Sequence, residues 1–498
     1  MARPNRLDVY YERERVGFVH DSAPLAFEYA DSWLQRTDRF AIAAIPLAPG
    51  RNDSAAVQAF FENLLPEGEL RQYLAQQRKA SGLYSLLLEV AGDTAGGFVI
   101  VPGGERPELP AYRPTTWKTI AAALENNSAA AIDLRGGGAR ISLAGAQDKT
   151  SIALFDDGVP RLPKGTAPST HIVKPNIKRL DKVWHSAANE AIVMRAAAHC
   201  GLPTAEVFYE PQTMSCVVRR FDRQVRPDGS LLRLVQYDLC QLAGTTSDRK
   251  YEKEGGPGLA ACAALIRRYS TQPALDLRHF VVWIFFNLYT GNNDSHAKNL
   301  SIVSVPGVGV KLAPCYDLMC TRLYPGLSAE FAFQIGGEYK PAAMASPHVA
   351  ALAQELGMRT QFLQQQAADV AQKIPSALEQ AVKEIKPALP HSAKILAGRF
   401  TWLLCGAYLS LASFLALKLV QTSASASVVT SGGYVSYGGL SFKIQSDLEA
   451  FLLDETATSW FSWLPDVPRE LIPFLASVAL GALGACVRLL NFEILRIT

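Results

Sequence analysis

The sequence is short of paired cysteine. Eight cysteines are spread over 498 residues, at 200, 216, 240, 262, 315, 320, 405 and 486, and none forms a CxxC pair. Such scatter fits reduced core thiols rather than a disulfide framework. Cys315 and Cys320 lack a nearby His or Cys pair that would complete a metal site. An excess of one charge is missing as well: 49 Lys and Arg against 46 Asp and Glu leave +3. Bulk charge therefore cannot be the basis of nucleic-acid binding, although a local basic patch stays open. The N-terminus, MARPNRLDVYYERERVG, has no apolar h-region and is not a secretory signal, so the expected compartment is the cytosol. No internal repeat or low-complexity tract occurs before residue 420.

What the chain has is apolar mass. At 49% hydrophobic residues it can build two or three cores of ordinary size. Residues 7–19 alternate as strand, turn and strand. Residues 55–91 read as two or three short helices. Segment 92–104 reads as a turn, a strand and a glycine-rich exit. Residues 105–131, polar and Pro-bearing, suit a connection. From 139 onward ARISLAGAQDKTSIALFDDG reads strand, loop, strand, turn, and 169–175 adds a short strand. HSAANEAIVMRAAAHCGL (185–202) is a helix ended by Gly201. AEVFYE, MSCVVRRFD and RLVQYDL supply further strands, and after 255 the pattern is mainly helical. DLRHFVVWIFFNLYTGN, with Asp276 near its start and Gly291 after its end, is apolar nearly all round and predicts a central buried helix. A small β-rich lobe followed by a helical lobe is the order of a protein-kinase-like fold of the α+β class.

Directly after that apolar helix comes TGNNDSHAKNL (290–300). A phosphoryl-transfer site needs a carboxylate to orient the attacking hydroxyl, and an amide with a second carboxylate to hold Mg2+ against phosphates. Asp294 and Asn299 have the D-x-x-x-x-N spacing of the first two. Lys298 between them can meet the γ-phosphate, and His296 can brace the loop by hydrogen bonds. A hairpin then delivers Asp317 as the second carboxylate. The plain alternative is a polar helix cap and turn. Upstream, Lys174 ends an apolar strand and can hold the ATP phosphates, with Glu190 on the next helix to orient it. A strand-end lysine reaching water is its alternative. Segment 144–150, with Gly145, Ala146, Gln147, Asp148, Lys149 and Thr150, stands where a phosphate loop belongs, with one glycine in place of three. Gln236, Tyr237 and Asp238 stand where an adenine-reading hinge belongs, or simply end a strand.

Together these stretches resemble the HipA family of serine/threonine kinases, the toxin halves of HipA–HipB toxin–antitoxin pairs. The matching segments are FFENLLPEG (60–68), ISLAGAQDKTSIAL (141–154), THIVKP (170–175), NE (189–190), RRFDR (219–223), KYEKEGGPG (250–258), NDSHAKN (293–299) and APCYD (313–317). The resemblance covers roughly residues 5–395. It implies an α/β N-terminal subdomain over 1–110 and a kinase core over 139–398, with an N-lobe to about 240 and a helical C-lobe beyond. It also implies ATP and Mg2+ as cofactors, Asp294 as base, Asn299 and Asp317 as Mg2+ ligands, and Ser142 as an autophosphorylated serine. The implied partners are a protein substrate, an aminoacyl-tRNA synthetase in some members, a HipB-like antitoxin, and operator DNA reached through that antitoxin. Tyr237 departs from the acidic residue expected in the hinge.

The tail, 399–498, lies beyond the resemblance. Its uncharged runs 400–417 and 471–487 are near bilayer-spanning length, and the flanking Lys and Arg suit a membrane hairpin around a Ser/Gly-rich loop, 421–440. Buried core helices, or a tail that is not native coding sequence, are the alternatives. Two other functions stay open on the sequence: a small-molecule phosphotransferase on the same kind of fold, and a catalytically silent partner of a DNA-binding protein.

Overall fold

The computed structural model describes residues 4–390, apart from 127–148 and short gaps between 68 and 91 and at 179 and 181, together with residue 393 and three short strands between 430 and 443. The chain divides into two compact units, 1–407 and 408–498.

The first unit begins with an antiparallel sheet. Its strands are β1 (Arg6–Tyr11), β2 (Glu14–His20), β3 (Ala26–Tyr29), β4 (Arg51–Asn52) and β5 (Phe98–Pro102), in the order β4-β3-β2-β1-β5. Helix α1 (Asp31–Leu34) is one short turn. Helix α2 (Ala55–Asn63) lies on this sheet through two aromatic contacts. Phe61 meets Phe27 at 5.8 Å between ring centroids, and Phe60 meets Phe98 edge-on at the same separation. Edge-on pairs suit the ring quadrupoles and add to the burial of area. Helix α3 (Leu83–Val90) completes this part.

The segment expected to be a plain connection, 105–131, is not one. Ala111–Pro114 forms β6 and Trp117–Asn126 forms helix α4. Prolines 107, 110 and 114 all precede the helix and none interrupts it. Thr116 starts it, its Oγ1 accepting from the Thr119 N–H at 3.1 Å. Ile120 and Leu124 on one face of α4 are buried against Ile152, Val173 and Val217. That cluster belongs to the second sheet, β7 (Thr150–Ile152), β9 (His171–Lys174), β10 (Val207–Glu210) and β11 (Ser215–Arg219), in the order β10-β11-β9-β7. Strand β8 (Arg161–Lys164) pairs with β6, outside this sheet. Helix α5 (Ser186–His199) packs against β10 and β11, its alanines permitting close approach, and the chain leaves it through Gly201 at φ 88°. Strands β12 (Arg223–Val225) and β13 (Leu231–Arg233) form a short ribbon.

Strand β14 (Gln236–Asp238) pairs with β15 (Ser301–Val305), and β15 with β16 (Gly309–Leu312). This small sheet brings residues 236–238 next to the segment that follows the apolar helix. Between them lie α6 (Leu239–Ala243), α7 (Leu259–Tyr269) and α8 (Pro273–Thr290). Helix α8 is the buried helix expected from sequence. Proline fills its first turn, where no N–H is required, and Phe280, Trp283, Ile284 and Phe286 are fully buried along it. Asp276 near its start accepts from Ser270 Oγ at 2.6 Å and from the Leu312 N–H at 2.7 Å, tying the helix to β16. Helices α9 (Ser346–Glu355) and α10 (Thr360–Ile385) follow, and α10 packs against both α5 and α8.

Of the second unit, Thr430–Ser431 (β17), Tyr434–Tyr437 (β18) and Leu440–Lys443 (β19) form an antiparallel meander where a loop was expected. The sequence places Gly-Gly between each pair of these strands, a strong hairpin signal. Segments 400–417 and 471–487 lie outside the described residues. Among the described residues no helix is long and apolar enough to cross a membrane.

Candidate active site

The polar stretch after α8 answers two different demands. Gly291 turns the chain at φ 70°, and the asparagines that follow are consumed in building the turn. Asn292 Nδ2 donates to Asn287 Oδ1 at 2.7 Å, Asn293 Nδ2 to the Ser328 carbonyl at 2.8 Å, and the Asn293 N–H to Thr321 Oγ1 at 2.9 Å. Every residue from 291 to 300 is buried except Asp294. A buried loop thus presents one carboxylate to solvent, which a mere helix cap would not require. Asn299 Nδ2 donates to the Asp294 carbonyl at 3.1 Å, leaving the amide oxygen as its remaining polar atom.

Asp294 faces a cavity of about 630 Å3 that Lys174, Glu190, Lys298, Asn299 and Asp317 also line. Lys174 ends β9 opposite Cys216 of β11, so the sheet register aims it inward. Its ammonium lies 2.5 Å from Glu190 Oε1 and 2.7 Å from Asp317 Oδ1. Burial alone would lower its pKa, but Asp317 and Glu190 outweigh burial and raise it, so the charge persists. Asp317 follows the β15–β16 hairpin with φ 59°, a left-handed conformation that aspartate tolerates better than most residues. Protein surrounds it closely, yet its side chain is 47% exposed to the cavity. Burial there is outweighed by Lys174 and Lys149, which hold its carboxyl below the usual range.

Lys149 and Thr150 are the described end of the expected phosphate loop. Lys149 lines the cavity, and burial, with Lys174 nearby, pushes its pKa down to about 8. Ser142, Gly145, Ala146, Gln147 and Asp148 lie outside the described residues.

The residues of the expected hinge divide. Gln236 and Asp238 line the cavity. Tyr237 turns away into the first sheet, stacking on Phe98 and donating to the Ala41 carbonyl at 3.0 Å. Side chains alternate along a strand, so only its backbone can face the cavity. The Asp238 carboxylate is committed to α6, forming a reciprocal capping box with Gln241. Burial pushes its carboxyl up to about 6.

Lys298 and His296 have partners other than those expected. Lys298 Nζ lies 2.6 Å from Glu67 Oε1, and Lys250 Nζ lies 2.8 Å from Glu67 Oε2. Burial alone would raise the Glu67 carboxyl, but the two lysines bring it down to about 2. The His296 ring packs edge-on against Tyr251 at 5.1 Å, and its Nδ1 finds no partner among the described residues. Burial pushes its pKa down to about 4. His296 therefore braces the loop as a neutral ring and through its backbone, not by the side-chain hydrogen bonds expected. The Tyr251 hydroxyl donates to Asp294 Oδ1.

Glu67, Lys250 and Tyr251 were not singled out as site residues. All three lie in the segments FFENLLPEG and KYEKEGGPG, whose charged residues amid turn and apolar neighbours were the available signal. Within RRFDR, Arg220, Asp222 and Arg223 prove to be buried structure. Arg220 and Arg223 pair with Asp222 and Asp93, and Arg233 joins at Asp93, which also accepts from Ser169.

Among the described residues no group of three or more His, Cys, Asp or Glu side chains could hold a metal unaided. Asn299 and Asp317 instead fit a small divalent cation shared with substrate phosphates, which supply the remaining oxygens. Paired lysine and glutamate, an exposed loop aspartate, and an amide and carboxylate on one cavity are the parts a kinase cleft requires. Comparison with known proteins agrees with that class. The family model described as HipA N-terminal domain matches residues 7–101, and the one described as HipA-like C-terminal domain matches 141–378. Y4mE of Sinorhizobium fredii, whose name carries a provisional kinase assignment, is 33% identical over 404 residues, 78% of this chain and 94% of its own. The serine/threonine-protein kinase toxin HipA of Shewanella oneidensis is 29% identical over 421 residues, 79% of this chain and 93% of its own. A solved complex of Shewanella oneidensis HipA with HipB and operator DNA has a chain that superposes at TM-score 0.69 and 27% identity, covering 80% of this chain and 96% of that one. The chain belongs to the HipA family of kinases.

Proposed function

We propose that this kinase transfers the γ-phosphate of ATP to serine hydroxyls of a protein, and to its own Ser142. The observation that carries the reading is the convergence of Lys174, Asp294, Asn299 and Asp317, from three separate segments, on one cavity. Lys174 holds the α- and β-phosphates while Glu190 keeps its ammonium in place. Asp294 accepts the proton of the incoming hydroxyl, and the hydroxyl of Tyr251 already donates to that carboxylate. Asn299 and Asp317 would hold Mg2+, which offsets phosphate charge when bound. Lys298 stands at the γ-phosphate, and Gln236 to Asp238 read adenine through backbone groups. The resemblance supports a toxin role, a HipB-like antitoxin, operator DNA reached through it, and an aminoacyl-tRNA synthetase as substrate class. Phosphate on Ser142 would add about −1.5 to −2 charges near groups that bind phosphate, weakening ATP binding.

The test is phosphoproteomics after expression of the wild type and of Asp294→Ala, with Mg2+-dependent ATP binding measured on the purified protein. New phosphoserine in the wild type alone supports the proposal. Phosphate on small alcohols instead would make the protein a small-molecule phosphotransferase. No ATP binding would leave a regulatory partner without catalysis. Titrating ATP into protein phosphorylated at Ser142 tests the switch, and unchanged affinity would rule it out.

A further inference from the structure

We propose that Glu67 is a positioning residue for phosphoryl transfer, fixing the catalytic lysine Lys298 and the 250–258 loop to the N-terminal part of the chain. The inference rests on the kinase reading above. Glu67 is 8% exposed, and each of its carboxylate oxygens takes one ammonium, Lys298 at 2.6 Å and Lys250 at 2.8 Å. The two lysines come from different segments, so a single carboxylate sets the position of both.

Glu67 is itself held. The helix that precedes it, α2, ends at Asn63, whose Nδ2 donates to the Thr245 carbonyl at 2.9 Å. Gln241 Nε2 donates to the Phe60 carbonyl at 3.2 Å. These bonds attach the approach to Glu67 to the same stretch that leads into Lys250. Tyr251, beside Lys250, donates to Asp294. Both side chains that reach the reacting hydroxyl and phosphate, Asp294 and Lys298, are thereby steadied by groups that trace back to Glu67.

The charge arithmetic favours positioning over stability. Exchanging a whole buried ion pair for apolar packing of the same volume is often neutral, so stability alone does not account for the pair. Removing Glu67 by itself, however, leaves two lysines without their counter-charge. Two lysines on one carboxylate carry a net charge of +1 on the wall of a cavity that takes phosphates. Neutralising Glu67 would raise that to +2 and set the lysines against each other. ATP should then bind as well as before or better, because the wall is more positive. Transfer should fall, because Lys298 no longer stands in one place. General loss of structure would weaken both.

The full-length chain carrying Glu67→Gln, nearly isosteric but uncharged, tests this. The expected result is a kcat at least tenfold lower, with Mg·ATP bound no more weakly than by the wild type. The double variant Glu67→Gln/Lys298→Gln should lose less than the product of the two single losses, since the two changes share the Glu67–Lys298 arrangement. Wild-type kcat in Glu67→Gln, or losses that multiply in the double variant, would overturn the proposal. The same cycle run with Glu67→Asp, which keeps the charge and shortens the reach, serves if Glu67→Gln does not fold. Absence of transfer by the wild type overturns the kinase reading itself. Wild-type transfer that Glu67→Gln leaves untouched overturns only the positioning.

Discussion

Asp294 and Asp93 are both aspartates with hydrogen-bond partners, and they do opposite jobs. Asp294 is the exposed carboxylate of a buried loop. Asp294→Asn keeps the shape and loses the proton acceptor, so phosphate transfer should fall about 10²–10⁴-fold. Labelled-ATP transfer measured beside an unchanged melting curve checks this. Asp93 is fully buried among three arginines and Ser169. Burial would raise its carboxyl, but Arg220, Arg223 and Arg233 hold it well below the ordinary value of 3.8. Its stabilisation is therefore present above that ordinary value and is lost as pH falls toward the depressed one. Asp93→Asn should cost about 3–5 kcal/mol at neutral pH, because buried guanidinium groups lose their counter-charge. Urea titration reads that cost, and the gap between variant and wild type should shrink below pH 4. Lys174, Glu190 and Asp317 could be proposed from sequence because a charge at the end of an apolar strand, or just after a hairpin, demands a partner. Glu67 could not be assigned its role, because its partners lie 183 and 231 positions away and leave no local pattern.

The elements most visible in sequence were those with strong periodicity or plain punctuation. Helix α8 shows itself by an apolar run closed by glycine, and β1 and β2 by alternation around a turn. The strand and helix within 105–131 were hidden because prolines that precede the helix read as breakers of the whole stretch. The strand over 236–238 is legible in the sequence, but only its alternation in the fold separates Tyr237 from its two neighbours. The loop 250–258 depends on its glycines for geometry. A Cβ on Gly256 would lie 2.2 Å from the Arg249 carbonyl oxygen, a backbone atom that cannot step aside. Gly256→Ala should therefore displace Lys250 and Tyr251 and reduce transfer at least tenfold, leaving the first sheet folded. Steady-state kinetics together with hydrogen exchange over residues 6–102 checks both halves. Faster exchange throughout the first sheet would mean that the loop supports the fold, not the site alone.

For the molecule as a whole, the boundary at 407 and 408 leaves every described residue that lines the cleft in the first unit. A chain ending at residue 407 should fold and bind Mg·ATP with wild-type affinity, as calorimetry would show. If segments 400–417 and 471–487 form a membrane hairpin, the full chain should resist carbonate extraction, and a chain ending at residue 398 should not sediment with membranes. A full chain that stays in solution without detergent would remove the hairpin. The order of the parts along the chain has a consequence for synthesis. The last strand of the first sheet ends at Pro102, so the ribosome delivers that sheet early. The cleft needs Asp317, which meets a lysine 143 positions behind it. At roughly 5–20 residues per second the interval between the two is on the order of tens of seconds. Until then the nascent chain carries a folded front, and Lys174 has Glu190 beside it but not its second carboxylate. A kinase wired this way is born inactive, and a message cut short before Asp317 yields the first sheet without the cleft.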